Sequence, residues 1–133
     1  MTKMLYSNPD ETVYVSLYRN RLVVAIYITR FSPAFEPFWE GYAEVLPEDG
    51  LDPKDLMETD DIYNLDYMLP GRGLDWGGYL HLMPNTHAKQ QFLGFGSKTD
   101  NLQDTMGTAC ELADQIIEYG KQYRKKLKRG ALS

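Results

Sequence analysis

The stretch Thr12 to Arg30, TVYVSLYRNRLVVAIYITR, constrains the fold of this chain more than any other. Val13, Val15 and Leu17 recur with a period of two, and so do Leu22, Val24, Ile26 and Ile28 on the far side of Arg19-Asn20-Arg21. A period of two with β-branched side chains describes strands, and Asn20 suits the positive-φ position of a tight turn, so the segment predicts an antiparallel hairpin. The opposite faces carry Tyr14, Tyr18, Val23 and Tyr27 rather than charges. A hairpin apolar on both faces belongs inside a sheet that is partly covered on both sides.

The chain then reads FSPAFEPFWEGYAEVLPEDG. Pro33 and Pro37 each remove a backbone donor, which places a loop or sheet edge before a third strand over Phe38 to Leu46. Its alternation is imperfect, and Gly41 is expected to mark a bulge. Two further short strands are expected at 76–83 (WGGYLHLM) and 91–97 (QFLGFGS), joined by a loop containing Pro84 and Asn85. The last element is a helix over residues 101–128. Leu102, Met106, Ala109, Ala113, Ile116, Gly120, Tyr123 and Leu127 form one apolar stripe at spacings of three and four, with Asp100 or Asn101 as the cap. Gly107 and Gly120 each cost about 1 kcal/mol in a helix interior, so packing is expected to offset them.

These elements make an α+β domain. It has about five mostly antiparallel strands, a short acidic helix in an insert, and one long C-terminal helix packed on the sheet. The expected organisation is one domain over 1–133: an N-terminal lead at 1–9, an acidic insert at 47–75, the helix at 101–128 and a frayed tail at 129–133. A domain of this length buries roughly two-thirds of its unfolded surface and needs no staples.

Charge is divided between two poles. Residues 47–75 carry nine carboxylates against two bases, while residues 121–129 carry six bases and no acid, within a net charge of −5. An acidic chain is a poor general binder of nucleic acid, because affinity for phosphate accumulates from Lys and Arg. The single cysteine, Cys110, excludes an internal disulfide framework and a Cys-rich zinc site. The polar start and the lack of a long apolar run predict neither signal peptide nor membrane span, and a cytoplasmic location fits both.

The acidic insert fails as a calcium loop. Asp49, Asp52 and Asp55 fall three apart and Pro53 intrudes, whereas an EF-hand needs ligands at fixed odd positions and a Glu at the twelfth. The same spacing suits a short helix over residues 53–58, with Asp52 as N-cap and Pro53 at its first position. Ile62, Tyr63, Leu65, Tyr67, Met68 and Leu69 are too apolar for a free linker, so this segment is expected to pack on the domain or on a partner.

His81 and His87 are the only histidines, and a hydrolase or metal enzyme would have to use one of them, His81 above all. Their spacing matches no ligand or nucleophile-base motif, and a sheet-surface and a loop histidine explain them more simply. GFGS at 94–97 lacks the continuation of a phosphate-binding loop, and PGRG at 70–73 reads as a turn. Cys110, close to the helix stripe, is most simply a small buried residue with no cationic neighbour within a helical turn to make its thiol reactive. No catalytic residue, metal or cofactor is assigned.

What remains is binding. The leading expectation is a small non-enzymatic protein that engages another macromolecule, a protein with a basic surface. It would do so through Asp52, Asp55, Glu58, Asp60 and Asp61 with the aromatics Trp39, Tyr63 and Tyr67. Small accessory or inhibitor proteins of mobile elements or phages offer an analogy of size and charge only. The alternative is a nucleic-acid-binding module that stacks bases on sheet aromatics. Lys121, Arg124, Lys125, Lys126, Lys128 and Arg129 would then hold phosphate, although a helix C-terminus favours cations in any case. The helix stripe is also long enough to serve a homodimer seam.

Overall fold

The architecture is that of a computed structural model describing residues 2–51, 74–80, 82, 90–97 and 101–132, with side chains described for all of these except 74–76, 97 and 122–132. Strands β1 (Lys3–Ser7), β2 (Glu11–Tyr18), β3 (Arg21–Ile28) and β4 (Phe38–Val45) follow one another, and a 3-10 turn (Pro47–Asp49) closes β4. Strands β5 (Leu74–Tyr79) and β6 (Gln91–Ser97) and helix α1 (Leu102–Leu132) complete the described elements. The strands form one six-stranded antiparallel sheet in the order β1-β2-β3-β4-β6-β5.

The α+β class stands, but the sheet has six strands where the sequence reading expects about five. The additional strand is β1, inside what that reading takes as an N-terminal lead. Lys3 to Ser7 pair with Val15 to Thr12 across a register shift between Met4 and Tyr6. A five-residue strand with an irregular register has too little alternation to be read from sequence, and it holds its place because β2 offers an open edge. β5 begins and ends earlier than expected, at Leu74 and Tyr79, and it too pairs across a register shift, between Leu74 and Trp76. Both outer strands of the sheet therefore carry the irregularities that blunt an edge.

The hairpin forms as its periodicity implies. β2 and β3 pair without a slip from Glu11↔Ile28 to Tyr18↔Arg21, and a two-residue turn joins them. Both central residues have positive φ, 51° at Arg19 and 64° at Asn20, which is the type I′ geometry whose twist matches the flanking strands.

Gly41 is a correction. No bulge occurs there, because β3 and β4 keep register from Val23↔Ala43 to Ile28↔Phe38 and β4 and β6 keep it from Trp39↔Ser97 to Val45↔Gln91. The glycine instead makes room for a ring. A Cβ on Gly41 would lie 2.2 Å from Phe95 Cζ, and one on Gly94 would lie 2.4 Å from Tyr42 Cε1. β4 and β6 thus exchange two aromatic rings laid over glycine, Phe95 on one face and Tyr42 on the other, and the sequence irregularity near Gly41 is the trace of this pairing.

Each face of the sheet carries its own core. On the helix side, Val23, Ala25, Trp39, Ala43, Val45, Leu93 and Phe95 meet Met106, Ala109, Leu112, Ala113, Ile116 and Tyr119 of α1. On the opposite side, Val13, Val24, Ile26, Ile28, Tyr42 and Phe92 form a second cluster, joined by Leu5, Tyr6, Val15, Leu22, Phe38, Leu80 and Leu82. β3 is accordingly buried on both faces, as its two-sided apolar pattern implies.

α1 is capped by Asn101, whose Oδ1 accepts from the Asp104 amide at 2.8 Å while its Nδ2 donates to Asp104 Oδ2 at 3.0 Å. The stripe of Met106, Ala109, Ala113, Ile116 and Gly120 packs inward, widened by Thr105, Leu112 and Tyr119. The helix continues to Leu132, past the expected end near 128, without a Pro to stop it. Gly107 and Gly120 of the helix differ. A Cβ on Gly120 would lie 2.6 Å from the Asp49 carbonyl oxygen, whereas one on Gly107 meets nothing within 4 Å. Of these two, Gly120 is the one required by close approach, here of the helix to the 3-10 turn.

Candidate functional site

The polar chemistry of the described residues concentrates where the β2-β3 turn, the 3-10 turn and the helix meet. Arg21 opens β3 and is 4% exposed. Its Nη1 donates to Asp49 Oδ2 at 2.6 Å and to the Glu44 carbonyl at 3.1 Å, and its Nη2 donates to Asp49 Oδ1 at 3.0 Å. This is a buried, bidentate guanidinium-carboxylate pair. Asp49 Oδ2 also accepts from the Leu46 amide at 2.8 Å, and Glu44 Oε1 accepts from the Leu22 amide at 2.9 Å. The 3-10 turn closes through Gly50, at φ 71°, whose amide donates to the Pro47 carbonyl. Such a pair holds the turn against the hairpin because either ion alone would be left uncompensated in a dry site.

Outside this clamp lies a shallow groove of about 500 Å³, lined by Arg19, Asn20, Arg21, Leu46, Glu48, Asp49 and Ile117. Beside it, Arg19 Nη1 donates to Asp114 Oδ1 at 2.8 Å, and the Tyr18 hydroxyl donates to both Asp114 oxygens at 3.0 and 3.1 Å. The Asp114 hydrogen bond pushes the Tyr18 hydroxyl above its ordinary pKa. Burial first, and then the nearby Asp114 and Glu111 charges, push the Cys110 thiol up as well, which keeps it protonated and unreactive near neutral pH.

The helix surface turned away from the sheet is acidic. Asp104, Glu111 and Glu118 are exposed and recur every seven residues, and Asp114 lies beside them, 46% exposed at its side chain. No Lys or Arg occurs between Leu102 and Gly120. Glu48 on the adjoining 3-10 turn is exposed too.

The opposite end of the sheet shows aromatic groups to solvent. The loop between β3 and β4 holds Phe31 at 46% and Phe35 at 69% exposure. Phe31 stacks on Phe38 with centroids 6.3 Å apart and planes within 8°, and the Arg30 guanidinium sits 5.0 Å from the Phe31 centroid. Arg30 Nη1 reaches Glu11 Oε2 at 3.5 Å, and the Tyr6 hydroxyl donates to Glu11 Oε1 at 2.8 Å. Burial, followed by the hydrogen bond and charge of Glu11, pushes Tyr6 up to about 12.

The structure separates the residues that sequence reasoning groups together. Trp39 is a correction: it is 8% exposed and packs against Tyr27, at 4.8 Å between centroids, and Tyr14, at 5.8 Å, on the helix side of the sheet. It is a core residue, because position 39 alternates onto the face that α1 covers. Asp52, Asp55, Glu58, Asp60, Asp61, Tyr63 and Tyr67, with the expected helix over residues 53–58, lie outside the described residues. So do His81 and His87. Of the six basic residues near the C-terminus, Lys121 is exposed, while Arg124, Lys125, Lys126, Lys128 and Arg129 lie on the helical backbone with side chains outside the described set. The stripe expected to serve a dimer seam is occupied by the sheet as far as Ile116, and Gly120 meets the 3-10 turn.

Arg21, Asp49, Phe31 and Phe35 are what sequence reasoning passed over. Arg21 reads as part of a turn and Asp49 as one acid among nine, and nothing local marks two residues 28 apart as partners. Phe31 and Phe35 did carry a signal: two phenylalanines beside Pro33 and Pro37 in a loop have no strand or helix periodicity to bury them.

No protein-family model matches the chain, and neither does any curated protein or solved structure. No helix among the described residues is long and apolar enough to cross a membrane.

Proposed function

We propose that this is a small binding protein, without catalysis of its own, that engages another protein carrying a basic surface. The observation that carries the reading is the outer face of α1, where Asp104, Glu111 and Glu118 are exposed with no Lys or Arg on the helix before Lys121, and where Asp114 beside them is shared with Arg19. Glu48 extends the same sign of charge onto the 3-10 turn. Charge of one sign spread over a rigid element steers a complementary partner and rejects others. Asp52, Asp55, Glu58, Asp60 and Asp61 follow that turn in sequence and would enlarge the surface.

The nucleic-acid alternative has less support. Its stacking platform would need several open sheet aromatics, but Trp39 and Tyr42 are buried and Tyr14 and Tyr27 pack against the helix-side core, which leaves Tyr79 on the edge strand as the exposed one among the described residues.

The test is affinity capture from the organism that encodes the chain, followed by identification of the retained protein. A basic protein is expected, released as salt rises past physiological strength. It should be lost when Glu111→Lys and Glu118→Lys are combined with reversal of Asp55, Glu58, Asp60 and Asp61. Capture unchanged by those reversals would remove the reading.

A further inference from the structure

The loop between β3 and β4 has no role in that acidic surface, and its construction sets it apart from an ordinary connection. Residues 30–37 are exposed without interruption, two of them large aromatics. An exposed aromatic on a loose loop means little. This loop is tied down. Ser32 N–H donates to the Thr29 carbonyl at 3.0 Å, and Phe35 N–H donates to the Phe31 carbonyl at 2.9 Å. At its base, Thr29 donates twice to the preceding turn, from its amide to the Asp10 carbonyl and from its hydroxyl to the Pro9 carbonyl, each at 2.9 Å. That turn is itself fixed by Asn8 Oδ1, which accepts from the Asp10 and Glu11 amides. Phe31 is held on one side by Phe38 and on the other by Arg30.

Phe31 is therefore presented with little conformational entropy left to lose and Phe35 on a fixed backbone, the condition under which an aromatic contributes most to an interface. The charge around them is one-sided. Among the described residues, Asp10, Glu11, Glu36 and Glu40 surround the loop in sequence and strand register, against Arg30, and Arg30 is shared with Glu11. A cleft that receives these rings must be apolar at its floor and basic at its rim.

We infer that Phe31 and Phe35 form a rigid aromatic anchor that enters an apolar recess, rimmed by Lys or Arg, on a partner protein. This rests on the reading of the protein as a binder of basic surfaces and adds to it a second contact, at the far end of the sheet from Glu48. The partner meets the chain through a protruding loop rather than through a groove in it, so the recess belongs to the partner.

The experiment places a photoreactive p-benzoylphenylalanine at position 35 of the full chain, with two companion chains carrying it at Glu111 on the acidic helix face and at Leu17. Leu17 is 66% exposed, at the opposite end of the hairpin, and controls for exposure alone. Each is irradiated in extract of the native host, and the crosslinked peptide is identified. Position 35 should give one dominant adduct, absent from position 17, whose crosslinked site lies in an apolar recess with neighbouring Lys or Arg. Unlabelled wild-type chain should suppress that adduct, and a Phe31→Ser competitor should be about tenfold weaker or worse. No adduct at 35, the same adduct at 35 and 17, or equal competition by Phe31→Ser would overturn the anchor. A basic protein captured at 111 but not at 35 would overturn the anchor and leave the acidic-surface reading standing. A non-basic protein captured at 35 with the Phe31 dependence would keep the anchoring contact while overturning both the basic rim and that reading.

Discussion

The two ends of the sheet solve opposite problems with residues of the wrong kind for their place. At the end formed by the β2-β3 turn and the 3-10 turn, two charged groups are buried, and each is acceptable only because the other is there. At the end formed by the β1-β2 turn and the β3-β4 loop, two apolar groups are exposed, and a backbone hydrogen-bond network holds them there. Burying Arg21 and Asp49 stabilises the fold only while the pair is intact. Exposing Phe31 and Phe35 contributes little to the fold and is intelligible as provision for a contact. The first end is therefore sensitive in stability and the second in binding.

Substitutions can break this contrast. The largest effect is expected from Arg21→Ala, which leaves the Asp49 carboxylate buried without its counter-ion. A loss of about 3–5 kcal/mol in urea unfolding is expected, while a double replacement of Arg21 and Asp49 by apolar residues should recover most of it. A single variant as stable as wild type would mean that water reaches the pair and that the clamp is not a clamp.

Gly120→Ala and Gly107→Ala form the next test, because they make the same chemical change at two positions of α1. Helix propensity favours both by about 1 kcal/mol. At Gly120 the methyl would press on the Asp49 carbonyl, and an overpacking cost of about 1–3 kcal/mol outweighs the gain, so the melting temperature should fall. At Gly107 space is open and the melting temperature should rise. Equal signs would show that the helix does not press on the 3-10 turn.

Tyr6 at the open end titrates late. Its pKa is pushed up to about 12, whereas an unfolded tyrosine titrates near 10, so the native state holds this proton more tightly. The stability that follows is fully present below about pH 10 and is lost as pH rises toward 12. Ultraviolet titration of the folded protein should show Tyr6 among the late tyrosines, its transition moved back toward 10 by Glu11→Gln, though less than fully because burial is the larger cause.

The smallest effect on stability is expected from Phe35→Ser, within about 0.5 kcal/mol of wild type, since a 69% exposed ring has little burial to lose. Its effect should appear in partner binding alone. A large fall in melting temperature would convert the anchor into a packing residue and erase the contrast between the two ends.

Much of the fold was legible because it depends on local repetition. The two-residue period from Val13 to Ile28 specifies the hairpin and its two-sided burial, and the three- and four-residue spacing from Met106 to Gly120 specifies which side of the helix turns inward. The candidate surfaces were less legible. Trp39 reads as a recognition aromatic because Trp favours interfaces, and it is buried because α1 covers its face of the sheet, a choice made more than 60 residues away. Gly41 reads as a bulge, yet it is flat strand under the Phe95 ring, and Phe95 is distant in sequence.

By itself the sequence determined the types of β2, β3, β4, β6 and α1, the hairpin turn at Asn20, the inward stripe of the helix and the division of charge along the chain, since each follows from neighbours within a few residues. Only the tertiary structure decided that β6 lies between β4 and β5, that β1 completes a sixth strand, that Arg21 and Asp49 form one buried pair, and that Phe31 and Phe35 stay outside. These depend on which distant segments meet, and pairing across a sheet is set by cross-strand shape and desolvation, which leave no period in the chain.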